Sequence, residues 1–292
     1  MIIEKNSKNL GKVTMKEVDY ELAKEMIIKN HYSHKWNGYF GKINIGIFKE
    51  DRLLGVASFG SMMNSGAYKN ITDYGPESLI ELNRLWIDDE LGFNAETILL
   101  GASWKIIRAC YPEVKFVQSF ADGRLGCGTI YKASNFKYYG YHTTLFYEDK
   151  DTGEVHHKVS LENTKSPSGF LLKNADYLNG KLKPFYVKTY RYIYPLYKKT
   201  DVKLKEEPYP PYDKGINYVD HVQPNALLAR LYVMYGFLGN EEYSLKAFKA
   251  IDVDNEDDML ELIKRANDNA SVQWFKSTYG SKDKLAEALK ER

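Results

Sequence analysis

Side chains able to do chemistry gather between Phe116 and Tyr131, where an apolar run ends in Ser119 and Asp122, and Gly123, Gly126 and Gly128 follow before Tyr131. The pattern reads as strand, tight loop and helix start, a place where reacting groups are commonly held. Glycines there let the backbone approach a ligand closely, and amides at a helix start can hold an anion such as a donor phosphate. Close packing alone explains the same glycines, so both readings stand at this point. Cys127 reads as a small residue near a helix start rather than a nucleophile. Elsewhere His31 and His34 stand three apart, a spacing open to a metal ligand pair or to helix capping. Arg84 falls among large apolar residues and needs an acceptor, either a structural carboxylate or the anion or carbonyl of a substrate.

The elements that must position these groups follow from periodicity. Residues 1–10 read as a polar lead, and Val18, Leu22, Met26 and Ile27 predict an amphipathic helix from Met15 to about Lys29, with His31 and Tyr32 just past its end. Gly41 to Lys49 and Leu53 to Gly60 predict a hairpin turning at Glu50-Asp51-Arg52, followed by an irregular stretch from Ser61 to Pro76. Leu79 to Asp88 predicts a strand with Ile80, Leu82, Arg84 and Trp86 on one face and Glu81 and Asn83 on the other. A helix over Ala95 to Cys110 comes next, stopped by Tyr111-Pro112. After the glycine turn a helix fades near Phe136. Strands over Tyr139–Tyr147 and Glu154–Leu161 are expected to form a hairpin at the far edge of the sheet, and Ser168–Tyr177 a short helix.

The segment Lys183 to Lys199 has no acidic residue and interleaves tyrosines with basic groups. Lys188, Tyr190, Arg191, Tyr192, Tyr194 and Lys198 are its candidate nucleic-acid contacts, against the alternative of a last strand whose tyrosines pack inward. Residues 200–215, charged and proline-rich, read as a linker, and helical patterns at 226–238, 243–251, 257–266 and 282–290 predict a small helical C-terminal region. The expected division is thus 1–199, a linker at 200–215, and 216–292. Such an order of elements predicts a mixed α/β sheet with antiparallel pairs at both ends and one parallel crossover between them.

Composition sets limits. Among 292 residues, 41 lysines and arginines against 39 acidic residues give a net charge of +2, which excludes a global basic field, so a polyanion must meet a local patch. Two cysteines exclude a disulfide framework or a cysteine-built zinc site and fit a reducing, cytoplasmic compartment. No run approaches bilayer length, so a soluble protein is expected. The 24 tyrosines serve equally as core filler or as stacking platforms.

Taken together, Asn30-His31-Tyr32-Ser33, Glu81-Leu82-Asn83-Arg84-Leu85-Trp86, Ser119-Phe120-Ala121-Asp122, Gly128-Thr129-Ile130-Tyr131, Asn135-Phe136 and Tyr190-Arg191-Tyr192-Ile193-Tyr194 resemble the bacteriophage Mom family of DNA-modification proteins. The resemblance covers about residues 12–198 and implies a GNAT-like acyltransferase fold. The activity it implies is transfer of a glycinamide-type (carbamoylmethyl) group to the exocyclic amine of adenine in double-stranded DNA. That would protect phage DNA from restriction, in the host cytoplasm if the chain is phage-encoded. Its functional residues fall on His31, Tyr32, Arg84, Ser119, Asp122 and Tyr131. Chemistry suits those types: Asp122 or His31 can orient a poorly nucleophilic amine, Tyr32 or Tyr131 can act as acid or stack on a flipped base, and Arg84 can hold a donor carbonyl or phosphate. The resemblance also raises iron or another divalent metal on His31 and Asp122. The glycine pattern that binds CoA in ordinary GNAT enzymes is missing from Asp88 to Glu96, and Arg124 to Gly128 only approaches it. That weighs against acetyl-CoA and leaves another activated acyl or aminoacyl donor open, a charged tRNA included. A generic N-acyltransferase of a small amine or protein, and a non-catalytic DNA-binding protein on the same scaffold, are the competing readings.

Overall fold

The computed structural model describes residues 1–62, 65–158, 167–215, 218–219 and 224–279. The chain forms two compact units, Met1–His142 with Thr189–Ile216, and Thr143–Lys188 with Asn217–Arg292. The segment 200–215 belongs to the first unit. There Val202 and Leu204 pack against Ile71, Phe116 and Ile193, and the Tyr209 hydroxyl donates to the Phe136 carbonyl.

The first unit opens with a hairpin, β1 (Ile2–Ser7) and β2 (Gly11–Glu17), in place of the expected polar lead. Gly11 takes φ +71° at the turn, and Val13 and Met15 alternate into the core. Pairing of Met15 with Ile47 holds residues 14–17 as strand, so the helix α1 (Tyr20–Asn30) starts five residues later than periodicity suggested. β3 (Ile43–Lys49) and β4 (Arg52–Gly60) form the predicted hairpin, with Glu50 and Asp51 both left-handed, as a tight turn compatible with strand twist requires. Short 3₁₀ turns at Ser65–Asn70 and Pro76–Ser78 follow, and buried Ile71 anchors that irregular stretch.

β5 (Leu79–Ile87), α2 (Ala95–Cys110) and β6 (Phe116–Asp122) make the parallel crossover, and α3 (Thr129–Ala133) is a single short helix. β7 (Lys137–Asp149) and β9 (Leu182–Pro195) are the closing strands, on either side of β8 (Val155–His157) in sequence. In this unit the strand order is β1-β2-β3-β4-β5-β6-β9-β7. β9 therefore lies between β6 and β7, paired antiparallel to β6 from Phe116↔Pro195 to Asp122↔Thr189. The main core lies between α2 and the sheet, where Ile98, Leu99, Trp104 and Ile106 meet Ile45, Ala57, Phe59, Leu82 and Val117.

In the second unit the last part of β7 pairs antiparallel with β8, as Phe146↔His157 to Glu148↔Val155. Residues 159–161 of the expected strand lie outside the described residues. Helices α4 (Pro167–Leu178), α5 (Asn225–Phe237), α6 (Glu241–Lys249), α7 (Glu256–Asn267) and α8 (Ala270–Thr278) complete the unit. Asn240, Asn255 and Asn269 cap the last three through their side-chain oxygens. Leu228, Leu231, Met234, Val272 and Phe275 form its core with Leu145, Tyr147 and Phe170. α8 was not anticipated, and the pattern at 282–290 lies outside the described residues. No described helix is long and apolar enough to cross a membrane.

Candidate active site

A bulge in β5 builds the site. Against β4 the register runs Ala57↔Leu85 and Ser58↔Arg84 but then Phe59↔Leu82, so Asn83 is an extra residue. The insertion reverses the alternation: Ile80 and Leu82 face the α2 core before it, and Leu85 and Ile87 pack there after it. The sequence reading that put Arg84 on the face of Ile80 and Leu82 is thereby corrected. Arg84 shares the face of Glu81, within electrostatic reach of it. Close by, the parallel pairing of β5 with β6 lasts only from Leu79↔Phe116 to Glu81↔Gln118. Beyond that the Ser119 hydroxyl donates to the Leu82 carbonyl at 3.2 Å, and the site lies where the two strands part.

Glu81 is partly buried, with its carboxyl among protein groups. Burial raises its pKa to about 7, opposed by hydrogen bonds from the Asn83 and Gln118 amides and by Arg84. The Asn83 amide donates at 3.3 Å. Arg84 has no carboxylate ion pair among the described residues. Its guanidinium donates to the Lys35 and Asn83 carbonyls at 3.2 and 2.6 Å and lies 4.4 Å from the Phe40 ring centroid. Burial lowers its pKa, while Tyr32, Glu81 and Tyr131 oppose the shift.

His31 ends α1 and is buried. The Ser33 backbone N–H donates to its Nδ1 at 3.1 Å, so that nitrogen is unprotonated and the ring proton sits on Nε2; the Ser33 hydroxyl, 2.9 Å away, donates to the same nitrogen. Burial above all, then Arg84 and His34, lower its pKa to about 4, and the ring is neutral at pH 7. Tyr32 lies against it, ring centroids 4.2 Å apart, with much of its side chain exposed. Desolvation of its hydroxyl and the Asp122 carboxylate raise its pKa. His34 is exposed and bonded to the Ile28 carbonyl, and among the described residues no group of three metal-ligating side chains includes it.

Asp122 ends β6 in an ion pair with Arg124, whose Nε lies 3.0 Å from both carboxylate oxygens and whose backbone N–H also donates to Oδ1. Tyr131 reaches the site from α3. Its hydroxyl donates to the Phe120 carbonyl at 3.3 Å, and burial raises its pKa to about 12, which keeps it protonated. Close packing accounts for two of the three glycines offered as a phosphate cradle, Gly126 and Gly128. At Gly128 a Cβ would stand 2.7 Å from the Tyr192 ring and 2.9 Å from Ala121, and at Gly126 3.0 Å from the Asp213 carbonyl. These glycines allow backbone and rings to meet, and α3 has only five residues to offer an anion.

Of the basic tyrosine segment, Tyr190 and Tyr192 are buried in the core and Tyr194 stacks on Trp104 at 4.6 Å. The expectation that these three stack on nucleic acid is corrected, because β9 is an interior strand of the sheet. Arg191 lies on the opposite face, 5.6 Å from the Phe120 ring centroid; burial lowers its pKa. Lys188 is half-buried and Lys198 exposed. For the metal expected on His31 and Asp122, the residues do not make a ligand set: Nδ1 and both carboxylate oxygens are engaged within the chain. Among the described residues no three His, Cys, Asp or Glu side chains converge. Sequence reasoning missed Glu81, Asn83, Gln118 and Arg124. Glu81 and Asn83 stood in a motif already noted, hidden by an alternation that the bulge overturns.

The chain is thus a mixed α/β protein with ionisable groups gathered at a break between its two parallel strands. It belongs to the Mom protein family, whose family model matches residues 12–211. It is 35% identical over 148 residues to the methylcarbamoylase mom of Escherichia phage Mu, an alignment covering 49% of this chain and 59% of that protein. The chain is also similar in structure to an N-acetyltransferase from Staphylococcus aureus, at 14% identity, 63% and 99% coverage and a TM-score of 0.37. A putative acetyltransferase from Salmonella typhimurium compares at 11% identity, 65% and 96% coverage and 0.38. At these scores the structural likeness is loose.

Proposed function

We propose that this chain is a transferase that modifies DNA, placing a glycinamide-type (carbamoylmethyl) group on the exocyclic amine of adenine and so shielding the DNA from restriction in the host cytoplasm. Membership of the Mom family and the relative named methylcarbamoylase support the reading. The observation that carries it is the convergence of Glu81, Arg84, Ser119, Tyr131 and the Asp122–Arg124 pair where β5 and β6 part.

The adenine amine is a weak nucleophile because its lone pair is delocalised into the ring. As its nitrogen bonds to the donor carbon, the bond from that carbon to the leaving group breaks and the leaving group takes the electron pair. The amine proton passes to Glu81, whose pKa near neutrality suits a base. Arg84, with no carboxylate ion pair among the described residues, holds the donor carbonyl or anion. Tyr131 and the Nε2–H of His31 are donors rather than bases, and the exposed ring of Tyr32 is available to stack on the base. Asp122, neutralised by Arg124, orients rather than abstracts. A carbamoylmethyl group is joined through its methylene, so the attacked carbon is a donor methylene that bears the leaving group; attack on the carbonyl of an acyl or aminoacyl donor would give the isomeric glycyl amide instead. The turn before α2, with Asp88, Asp89 and Glu90, offers carboxylates where a pyrophosphate needs donors.

Deoxyadenosine from the DNA of cells expressing the chain is expected to carry the added mass, and that DNA to resist cleavage at adenine-containing restriction sites. Unmodified nucleosides from a host in which the protein is abundant and folded refute the reading.

A further inference from the structure

The reacting groups named above lie inside the fold: Ser119 is 1% exposed and the Tyr131 hydroxyl is buried. An adenine amine within a duplex does not reach such a depth unless its nucleotide leaves the stack, and the gap it leaves must be filled or it closes. At the rim, one residue of the Asp122–Gly128 turn stands out. Leu125 is 60% exposed, while Gly123, Gly126 and Cys127 beside it are buried. An exposed leucine at a turn tip commonly means nothing by itself. This one is held unusually firmly. Its backbone N–H donates to the Asp122 carbonyl at 2.8 Å, and Arg124 is stapled to the Asp122 carboxylate. The backbone of Asp213–Gly215 also lies on the turn, so close that a Cβ on Gly215 would meet the Arg124 carbonyl. That segment brings a second exposed apolar group, Tyr212 at 74%, and the exposed Lys214, while exposed Lys132 follows on α3. A rigid apolar tip flanked by cations, three residues from the Asp122 carboxylate, matches a duplex: the tip enters the base stack and the lysines meet phosphates.

We infer that Leu125 is a wedge that enters the duplex in place of the extruded adenine, with Tyr212 and the two lysines seating the strand beside it. The inference rests on the DNA-modifying reading of the site. Leu125 contacts the duplex and not the reacting atoms, so its loss affects extrusion while leaving the site intact.

Two measurements on the full chain test it. In cells, Leu125→Ala is expected to lower modified deoxyadenosine by about tenfold or more, whereas Leu125→Met, which keeps an apolar tip, retains most of it. In solution, 2-aminopurine replaces each adenine in turn in a mixed-sequence duplex. Wild type is expected to raise its fluorescence at some position, and Leu125→Ala to do so only when the opposite nucleotide is abasic and the base already unstacked. Modification by Leu125→Ala within about twofold of wild type, equal loss in Leu125→Met, or no fluorescence change with wild type on matched duplex overturns the wedge. Absence of modified deoxyadenosine with wild type overturns the enzyme reading instead, and the fluorescence arm then judges the wedge by itself.

Discussion

Replacing Glu81 with glutamine separates the two consequences of burying an acid. Its pKa stands at about 7 in the fold against 4.5 for the free group, mainly through burial. Because the folded value is the higher one, the fold favours the protonated form. The associated stability is full below pH 4.5, falls as pH rises through 7, and is gone above it. At about 1.4 kcal/mol per tenfold change in proton affinity, the gap amounts to about 3 kcal/mol. Glutamine mimics the protonated acid in shape and carries no charge to desolvate. Glu81→Gln is therefore expected to match wild type to within about 1 kcal/mol at pH 5 and to exceed it by about 3 kcal/mol at pH 8. Urea unfolding of both proteins at the two pH values measures this directly. The same substitution removes the proposed base, so modified deoxyadenosine should fall by about 100-fold or more. A stability difference that is equal at pH 5 and pH 8 refutes the claim that the carboxyl is desolvated, and with it the argument that selects Glu81 as base.

Three further outcomes follow from the geometry. His31, with its pKa held at about 4 by burial, Arg84 and His34, should show the Nε2–H tautomer by nitrogen NMR down to about pH 5. Its contribution to stability is present above its ordinary value and lost as pH falls toward 4, and a midpoint near the ordinary value would falsify the buried placement. Gly128→Ala combines φ +85° with a Cβ 2.7 Å from the Tyr192 ring and should cost about 2 kcal/mol or more in chemical denaturation. Tyr192→Phe removes the hydroxyl bonded to the Cys127 carbonyl and should cost about 1 kcal/mol while leaving DNA affinity in gel shifts unchanged. A drop in that affinity comparable to a lost stacking partner returns Tyr192 to the nucleic-acid surface.

Much of the fold was legible because its signals are local. The β3–β4 hairpin, α2 with its Tyr111-Pro112 stop, β6, and the helical C-terminal patterns each carry their own periodicity or cap. What failed depended on partners distant in sequence. Residues 1–10 read as a polar lead and Met15 onward as helix, but pairing with β3 needs only Val13 and Met15 to face inward. The tyrosines of β9 alternate with basic groups in a way that composition cannot orient, and the insertion of β9 between β6 and β7 turned the aromatic rings inward. The site residues named from motifs came from the family resemblance, and their types suited the chemistry. Glu81 was passed over because a two-residue period was carried straight through Asn83, and Arg124 because its partner Asp122 was assigned a role that needed no cation.

The extra residue in β5 makes pairing register a functional variable. Side chains after Asn83 keep their side of the sheet because that one position stands outside the ladder, so drawing it into regular pairing is a frame error rather than a repair. Leu85 and Ile87 would then trade places with Arg84 and Trp86, delivering a guanidinium into the hydrocarbon under α2 and stripping Glu81 of its neighbour in one stroke. Deleting Asn83 instead leaves Leu82, Arg84 and Leu85 in plain alternation, with the faces kept and only the kink and the Asn83 amide lost. Binding apparatus and hydrophobic interior are thereby yoked to a single unpaired residue.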